Sequence, residues 1–190
     1  MSWYPHNPVA GQKIRGVTGT TPCDEAFIAH ETITAPVLGS TKTIHATVTC
    51  TGTAADIPTG ITNPDVPRNL VVTGNTGATE VITITGTNAA GATISEAFTL
   101  SGTTPQIGAK AFKTVTNIHT PVGSHTADIV CGDKLGLINK LAGAVKLISL
   151  SNGATDAGTL ATSSTVLESN TYAPAAALNG SLTFDIYYLV

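Results

Sequence analysis

Charge is scarce in this chain: only 11% of its 190 residues are Asp, Glu, Lys or Arg, against about 25% in an ordinary soluble protein. The nine Lys and Arg residues are scattered and the formal net charge is −3. No basic footprint exists for displacing counterions, which argues against nucleic acid as a partner. Cysteine is nearly absent too. Cys23, Cys50 and Cys131 are odd in number, widely spaced and without a C-x-x-C pair, so neither a disulfide scaffold nor a zinc site is indicated. They read as small hydrophobes in a chain folded in a reducing cytoplasm. One Trp and four Tyr supply few rings for a sugar-stacking platform. No run of about 18 apolar residues occurs. The most apolar region, 135–150, is broken by Asn139, Lys140, Gly143 and Lys146, so no membrane span is expected. The first residues, MSWYPHNPVAG, lack a basic stretch followed by an apolar run, so no secretion signal is expected.

Catalytic signatures are missing as well. There is no G-x-S-x-G elbow, H-E-x-x-H, G-x-G-x-x-G or EF-hand loop. The stretch Gly39-Ser40-Thr41-Lys42-Thr43 lacks the first glycine of a phosphate-binding loop and is followed by a strand pattern. His119 and His125 flank a Pro-Gly turn with Asp128 close behind, but His-x5-His-x2-Asp fits no standard metal site. His30-Glu31 is no better. Glu96 lies among apolar neighbours near Lys110 and Lys113 and reads as a salt-bridged or strand-edge residue, since a catalytic carboxylate needs a titratable partner and a cleft. The expectation is a non-enzyme with no cofactor, metal or catalytic residue.

What is present is β-pattern and small residues. Hydrophobic residues make up 42% of the chain and mean hydropathy is +0.22, so the chain must cover its surface with Thr, Ser, Gly and Ala or hide it against partner subunits. At this length about 70% of the unfolded surface can be buried in one domain. The central stretch predicts a hairpin: residues 80–87 alternate β-branched side chains, Asn88-Ala89-Ala90-Gly91 supplies the turn, and 92–100 alternates again. Residues 41–50 predict a strand with Ile44, Ala46, Val48 and Cys50 facing the core. A strand near 32–34, stopped by Pro36, reads as an edge or crossover. Further strands are expected over 109–118, over 127–131 ended by Gly132-Asp133, over 143–150, and over 181–190. Asn152-Gly153 and Asn179-Gly180 supply turns. Only 134–142 carries a helical pattern. The fold class is therefore all-β, a β-sandwich or barrel-like domain over 23–190, with a subdivision near the Pro-rich loop 56–67.

Residues 1–22 are dense in Pro and Gly and predict an extended N-terminal arm. Trp3 and Tyr4 sit at its tip. They either fold back on their own domain or anchor in a neighbour's pocket, as Trp and Tyr do at interface hot spots. Trp3, Tyr4, Pro5 and Arg15 are the candidate partner contacts.

Four pieces, in order, carry a resemblance: Pro67-Arg68-Asn69-Leu70; Gly91-Ala92-Thr93-Ile94-Ser95-Glu96; Ala111-Phe112-Lys113-Thr114-Val115-Thr116-Asn117-Ile118; and Gly132-Asp133-Lys134-Leu135-Gly136-Leu137. With the closing strand they span roughly the C-terminal two thirds. The chain resembles tailed-bacteriophage virion structural proteins, most of all head decoration (cement) proteins. That resemblance implies an accessory protein, often trimeric, on the outer surface of the head. Its partners would be the major capsid protein and copies of itself. Alternative readings are a tail, neck or fibre subunit, or a receptor- or glycan-binding adhesion module.

Overall fold

The structure is a computed structural model, and it describes residues 14–15, 25–26, 28–141, 143 and 146–190. Its strands in chain order are β1 (Ile14–Arg15), β2 (Glu25–Ala26), β3 (Ile28–Thr34), β4 (Thr43–Thr49), β5 (Ala55–Ile57), β6 (Arg68–Gly74), β7 (Val81–Thr87) and β8 (Thr93–Thr99). They continue with β9 (Gln106–Ile107), β10 (Thr114–Thr120), β11 (Thr126–Gly136), β12 (Lys146–Ser151), β13 (Ala154–Thr155), β14 (Thr159–Ala161), β15 (Thr171–Ala173) and β16 (Thr183–Leu189). Among the described residues no α-helix occurs, only two short 3-10 turns. The chain is all-β, consistent with a sandwich or barrel-like fold. Of the expected arm only Ile14 and Arg15 are described, paired with Ala26 and Glu25. Trp3, Tyr4 and Pro5 lie outside the described residues, as does Cys23.

The central hairpin forms as expected. β7 and β8 pair in unbroken register from Val81 opposite Thr99 to Thr87 opposite Thr93. At the turn Asn88 Oδ1 accepts the Ala90 and Ala92 amides, and Gly91 takes φ 83°, a conformation that costs glycine little. Alternation then sends Ile82, Ile84, Ile94 and Phe98 into one hydrophobic cluster with Leu70, Val72, Phe112, Val115, Ile118 and Ile129. A second cluster gathers Phe184, Ile186 and Tyr188 of the C-terminal strand with Ile33, Leu135, Leu137 and Tyr172.

β11 belongs to both clusters. It pairs with β6 along one edge, and with β4 and then β15 along the other. Ala127, Ile129 and Cys131 point into the first cluster, Leu135 into the second. Two expectations are corrected here. Gly132-Asp133 does not end the strand, and no helix forms over 134–141. Instead β11 bulges between Cys131 and Leu135 and resumes, because the buried Asn69 amide fills the space beside Gly132. Asn69 Oδ1 accepts the Lys134 N–H at 3.0 Å and its Nδ2 donates to the Gly108 carbonyl at 3.0 Å. Over this stretch Leu135 and Leu141 are buried while Ile138 is exposed.

A third correction concerns Ala46. Ile44, Val48 and Cys50 are buried as expected, but Ala46 is exposed. The β4–β11 register shifts twice and Thr47 takes φ 26°, so the alternation breaks where Asp128 Oδ1 accepts both the Thr47 amide and its hydroxyl. The edge reading of the strand before Pro36 agrees with the structure: β3 pairs with β16, and among the described residues no strand pairs with its other edge.

Candidate functional site

The titratable residues that attracted attention in the sequence are not brought together. His119 Nδ1 meets Asp56 Oδ1 at 2.9 Å, and His125 Nδ1 meets Glu80 Oε1 at 2.7 Å. Asp128 is occupied by Thr47. Among the described residues no group of three His, Cys, Asp or Glu converges on one point. Burial works to raise the Glu80 pKa, yet hydrogen bonds from His125 and from the Thr79 and Ser124 amides outweigh it and hold the carboxyl at about 2. That carboxylate therefore stays ionised and pins the 123–125 loop to the start of β7. Glu96 also holds a loop in place. Its carboxylate accepts the Ala109 amide at 2.7 Å and the Lys110 amide at 3.4 Å, while Lys110 Nζ donates to the Ser95 carbonyl at 2.8 Å. The expected salt bridge is thus a loop clamp, with burial raising the Glu96 pKa against those bonds. Gly39–Thr41 forms a 3-10 turn leading into β4, and the Gly39 amide donates to Asp133 Oδ1.

Three of the four resembling pieces, those at 67–70, 111–118 and 132–137, meet in space at the seam between the two clusters. Arg68 bridges to Phe112 and lies opposite Leu135. The Gly136 amide donates to the Pro67 carbonyl, and a Cβ on Gly136 would overlap Ala111. Arg68 is fully buried. Its Nη2 donates to the Val37 carbonyl at 2.7 Å and its Nε lies 3.4 Å from Asp65 Oδ1, while Nε and Nη1 make no hydrogen bond. Cys131 is free and buried nearby, its thiol pushed up to about 12 chiefly by burial; it is unreactive. Beside the bulge a cleft of about 290 Å³ is lined by Val71, Ile107, Val130, Pro174, Asn69 and Lys134 among others. Its size is at the low end of small-molecule sites, and the polar groups of Asn69 already bond to backbone, so the seam is built to hold the two cores together.

A different region carries surface that structure alone does not explain. In the sheet ordered β13-β12-β16-β3, Phe184, Ile186 and Tyr188 face the core, so Asp185, Tyr187 and Leu189 face outward. Cross-strand registers place Ile148 and Leu150 of β12, and Ile28 and His30 of β3, beside them. Ile28 is 49% exposed, Leu147 47% and Ile148 42%. A register shift between Lys146 and Ile148 turns both Leu147 and Ile148 toward solvent. The His30 ring stacks on Tyr187 with centroids 4.3 Å apart and planes 3° from parallel. Asp185 Oδ1 takes the Thr32 hydroxyl at 2.6 Å and His30 Nε2 at 2.9 Å, and these two bonds hold its carboxyl below the usual range. A catalytic relay uses both imidazole nitrogens. Here Nε2 meets both Asp185 and Thr32, so these contacts brace the ring beside the apolar patch.

Under the patch a second polar network fixes the sheet to the core. The Tyr188 hydroxyl donates to Glu31 Oε2 at 2.9 Å and accepts from Asn139 Nδ2 at 3.0 Å; burial raises the Glu31 pKa against the Tyr188 bond. His30 and Glu31, adjacent in sequence, thus serve opposite faces. Sequence reading missed this surface, although the signal existed: in residues 181–190 the positions opposite the core-facing set include Tyr187 and Leu189. Of the expected partner contacts, Arg15 is placed only as part of β1, and Trp3, Tyr4 and Pro5 lie outside the described residues. Compared with known protein families, curated proteins and solved structures, the chain matches none.

Proposed function

We propose that this chain is a non-enzymatic virion protein, a decoration or cement protein that binds the outer surface of a tailed-phage head and joins capsomers. The observation that supports assembly over catalysis is the outward-facing apolar patch of exposed Ile28, Leu147 and Ile148 with half-buried Tyr187 and Leu189 on one sheet. Large apolar side chains gathered on one face mark contact surfaces. The resemblance of the four quoted segments to head decoration proteins supplies the particular partner, the major capsid protein, together with sister copies in a trimer.

The physical mechanism is linkage. A ligand that binds only the expanded shell stabilises it by RT ln(1 + [L]/Kd), about 2.7 kcal/mol at a hundredfold excess over Kd. A trimer gripping several capsomers gains a further ~10²–10⁴ in avidity where its geometry allows simultaneous contact. No bond is made or broken, so no catalytic group is needed. The test is stoichiometry, read by quantitative mass spectrometry of purified particles. Hundreds of copies per particle are expected; a handful would sink the head assignment and favour a tail or adhesion role.

A further inference from the structure

Two Asn-Gly pairs turn the chain at the ends of the β13-β12-β16-β3 sheet, and the fold holds them differently. Asn152-Gly153 is the two-residue loop of the β12–β13 hairpin, closed by Ser151 opposite Ala154. Asn152 takes φ 48° and Gly153 φ 81°, the positive pair that such a loop demands. Both residues are exposed. The Asn152 amide donates to the Thr183 carbonyl at 2.8 Å, and Asn152 Oδ1 accepts the Thr183 amide at 2.7 Å. Asn179-Gly180 lies just before β16. Asn179 Oδ1 accepts the Ser181 amide and hydroxyl and the Leu182 amide. The Gly180 amide donates to the Pro36 carbonyl at 3.0 Å, whereas the Gly153 amide has no acceptor among the described residues.

We propose that Asn152 is a site of spontaneous covalent modification, closing on the Gly153 nitrogen to a succinimide that water opens to aspartate or isoaspartate, while the fold holds Asn179 back. Hydroxide takes the Gly153 amide proton and the nitrogen attacks Asn152 Cγ. The N–Cγ bond forms, the Cγ–Nδ2 bond breaks, and ammonia leaves with a proton supplied by water. Water then adds to one of the two imide carbonyls and breaks its bond to nitrogen. As the ring closes, negative charge develops on Oδ1, where the Thr183 N–H is already placed to stabilise it. Asn179 Oδ1 has such donors too, so the nucleophile separates the two sites. The Gly153 nitrogen meets solvent, and a Cβ built on Gly153 would find nothing within 4 Å. The Gly180 nitrogen must first leave Pro36, and a Cβ there would come 3.2 Å from Val37 Cγ1. Either product adds a negative charge. Isoaspartate also lengthens the main chain by a methylene in a loop whose length fixes the hairpin register, at the end of the strand that bears Leu147 and Ile148. The chemistry belongs to the isolated chain and stands apart from the virion reading.

The experiment is ageing of the full chain in mildly alkaline buffer, once folded and once in urea, with both Asn-Gly peptides followed by mass spectrometry and isoaspartate identified by fragmentation. In the folded chain Asn152 is expected to convert at least tenfold faster than Asn179, whose nucleophile is released only by local opening. In urea, where neither pair is held, the gap is expected to close to about threefold or less. The Asn152 rate in the folded chain should rise with pH, since the attacking nitrogen must lose its proton. Equal rates in the folded chain, or a faster Asn179, would overturn the proposal. So would an Asn152 that stays intact in the folded chain over the time that urea converts it fully, and so would a tenfold gap that persists in urea, because the discrimination would then lie in the flanking sequence and not in the fold.

Discussion

Replacing Asn69 with alanine tests the seam directly. Its amide is fully buried and serves two backbone groups at once, accepting from the part-buried Lys134 N–H and donating to the buried Gly108 C=O, each at 3.0 Å. Asn69→Ala strands both groups. A buried polar group left unsatisfied costs about 1–3 kcal/mol, so the expected loss is about 2–5 kcal/mol, a large share of the ~5–15 kcal/mol that holds a domain together. For a chain of this size that corresponds to a drop in Tm of roughly 4–20 °C, at about 2–4 °C per kcal/mol. Gly132 makes the test sharper. A Cβ there would overlap the Asn69 amide, so Gly132→Ala alone should cost about 1–3 kcal/mol by overpacking. In the Asn69→Ala background the clash is gone. Urea unfolding of both single variants and the double should therefore give a double variant close to Asn69→Ala alone. Additivity within about 0.5 kcal/mol, the behaviour of independent sites, would refute the claim that this amide and this glycine shape one joint.

Other outcomes follow from the same geometry. Glu80 titrates at about 2 in the fold and near 4.3 in an unfolded chain. Its contribution is complete above the unfolded value and is lost as pH falls toward 2, so acid melting curves of His125→Gln should show a weaker loss over that window than the parent. Arg68→Ala should destabilise by about 2–5 kcal/mol through the cavity and the abandoned Val37 carbonyl. Arg68→Met should lose much less, because a packed hydrophobe often replaces a buried charge at little cost; equal losses in urea unfolding would contradict this reading of the seam. Lys110 Nζ holds the Ser95 carbonyl at the β8 sheet edge, where a charge discourages edge pairing, so Lys110→Ala should raise light scattering at high concentration while shifting Tm by less than about 2 °C; unchanged scattering would mean that the β8 edge is protected by other means.

The sequence carried the hairpin, the C-terminal strand and the edge position of β3 because each is a local pattern: alternation decides the faces and Asn-Gly chemistry decides the turns. It did not carry the β11 bulge, because the residue that makes Gly132 necessary is Asn69, far away in the chain. Ala46 was misplaced for the same reason, since Asp128 pulls Thr47 out of register across the sheet. The outer apolar patch was harder still. Ile28, Ile148 and Tyr187 each look like an ordinary strand residue, and only the pairing of β3, β16 and β12 gathers them on one face. His119, His125 and Asp128 show the converse, adjacency in sequence dispersed by folding to three separate partners.

In the proposed function the β3–β16–β12 face attaches this chain to the outside of a phage head. The most direct measurement is cryo-electron microscopy of heads stripped of the protein and refilled with the parent chain, with Ile148→Asp or with Tyr187→Ala. Free Tm should be nearly the same for the three proteins, because neither side chain enters the core. Attachment through this face predicts parent density at repeated positions on the outer shell with the face turned to capsid or to a sister copy, and occupancy reduced at least tenfold in both variants. Full occupancy by the variants, or parent density confined to the tail, would contradict it.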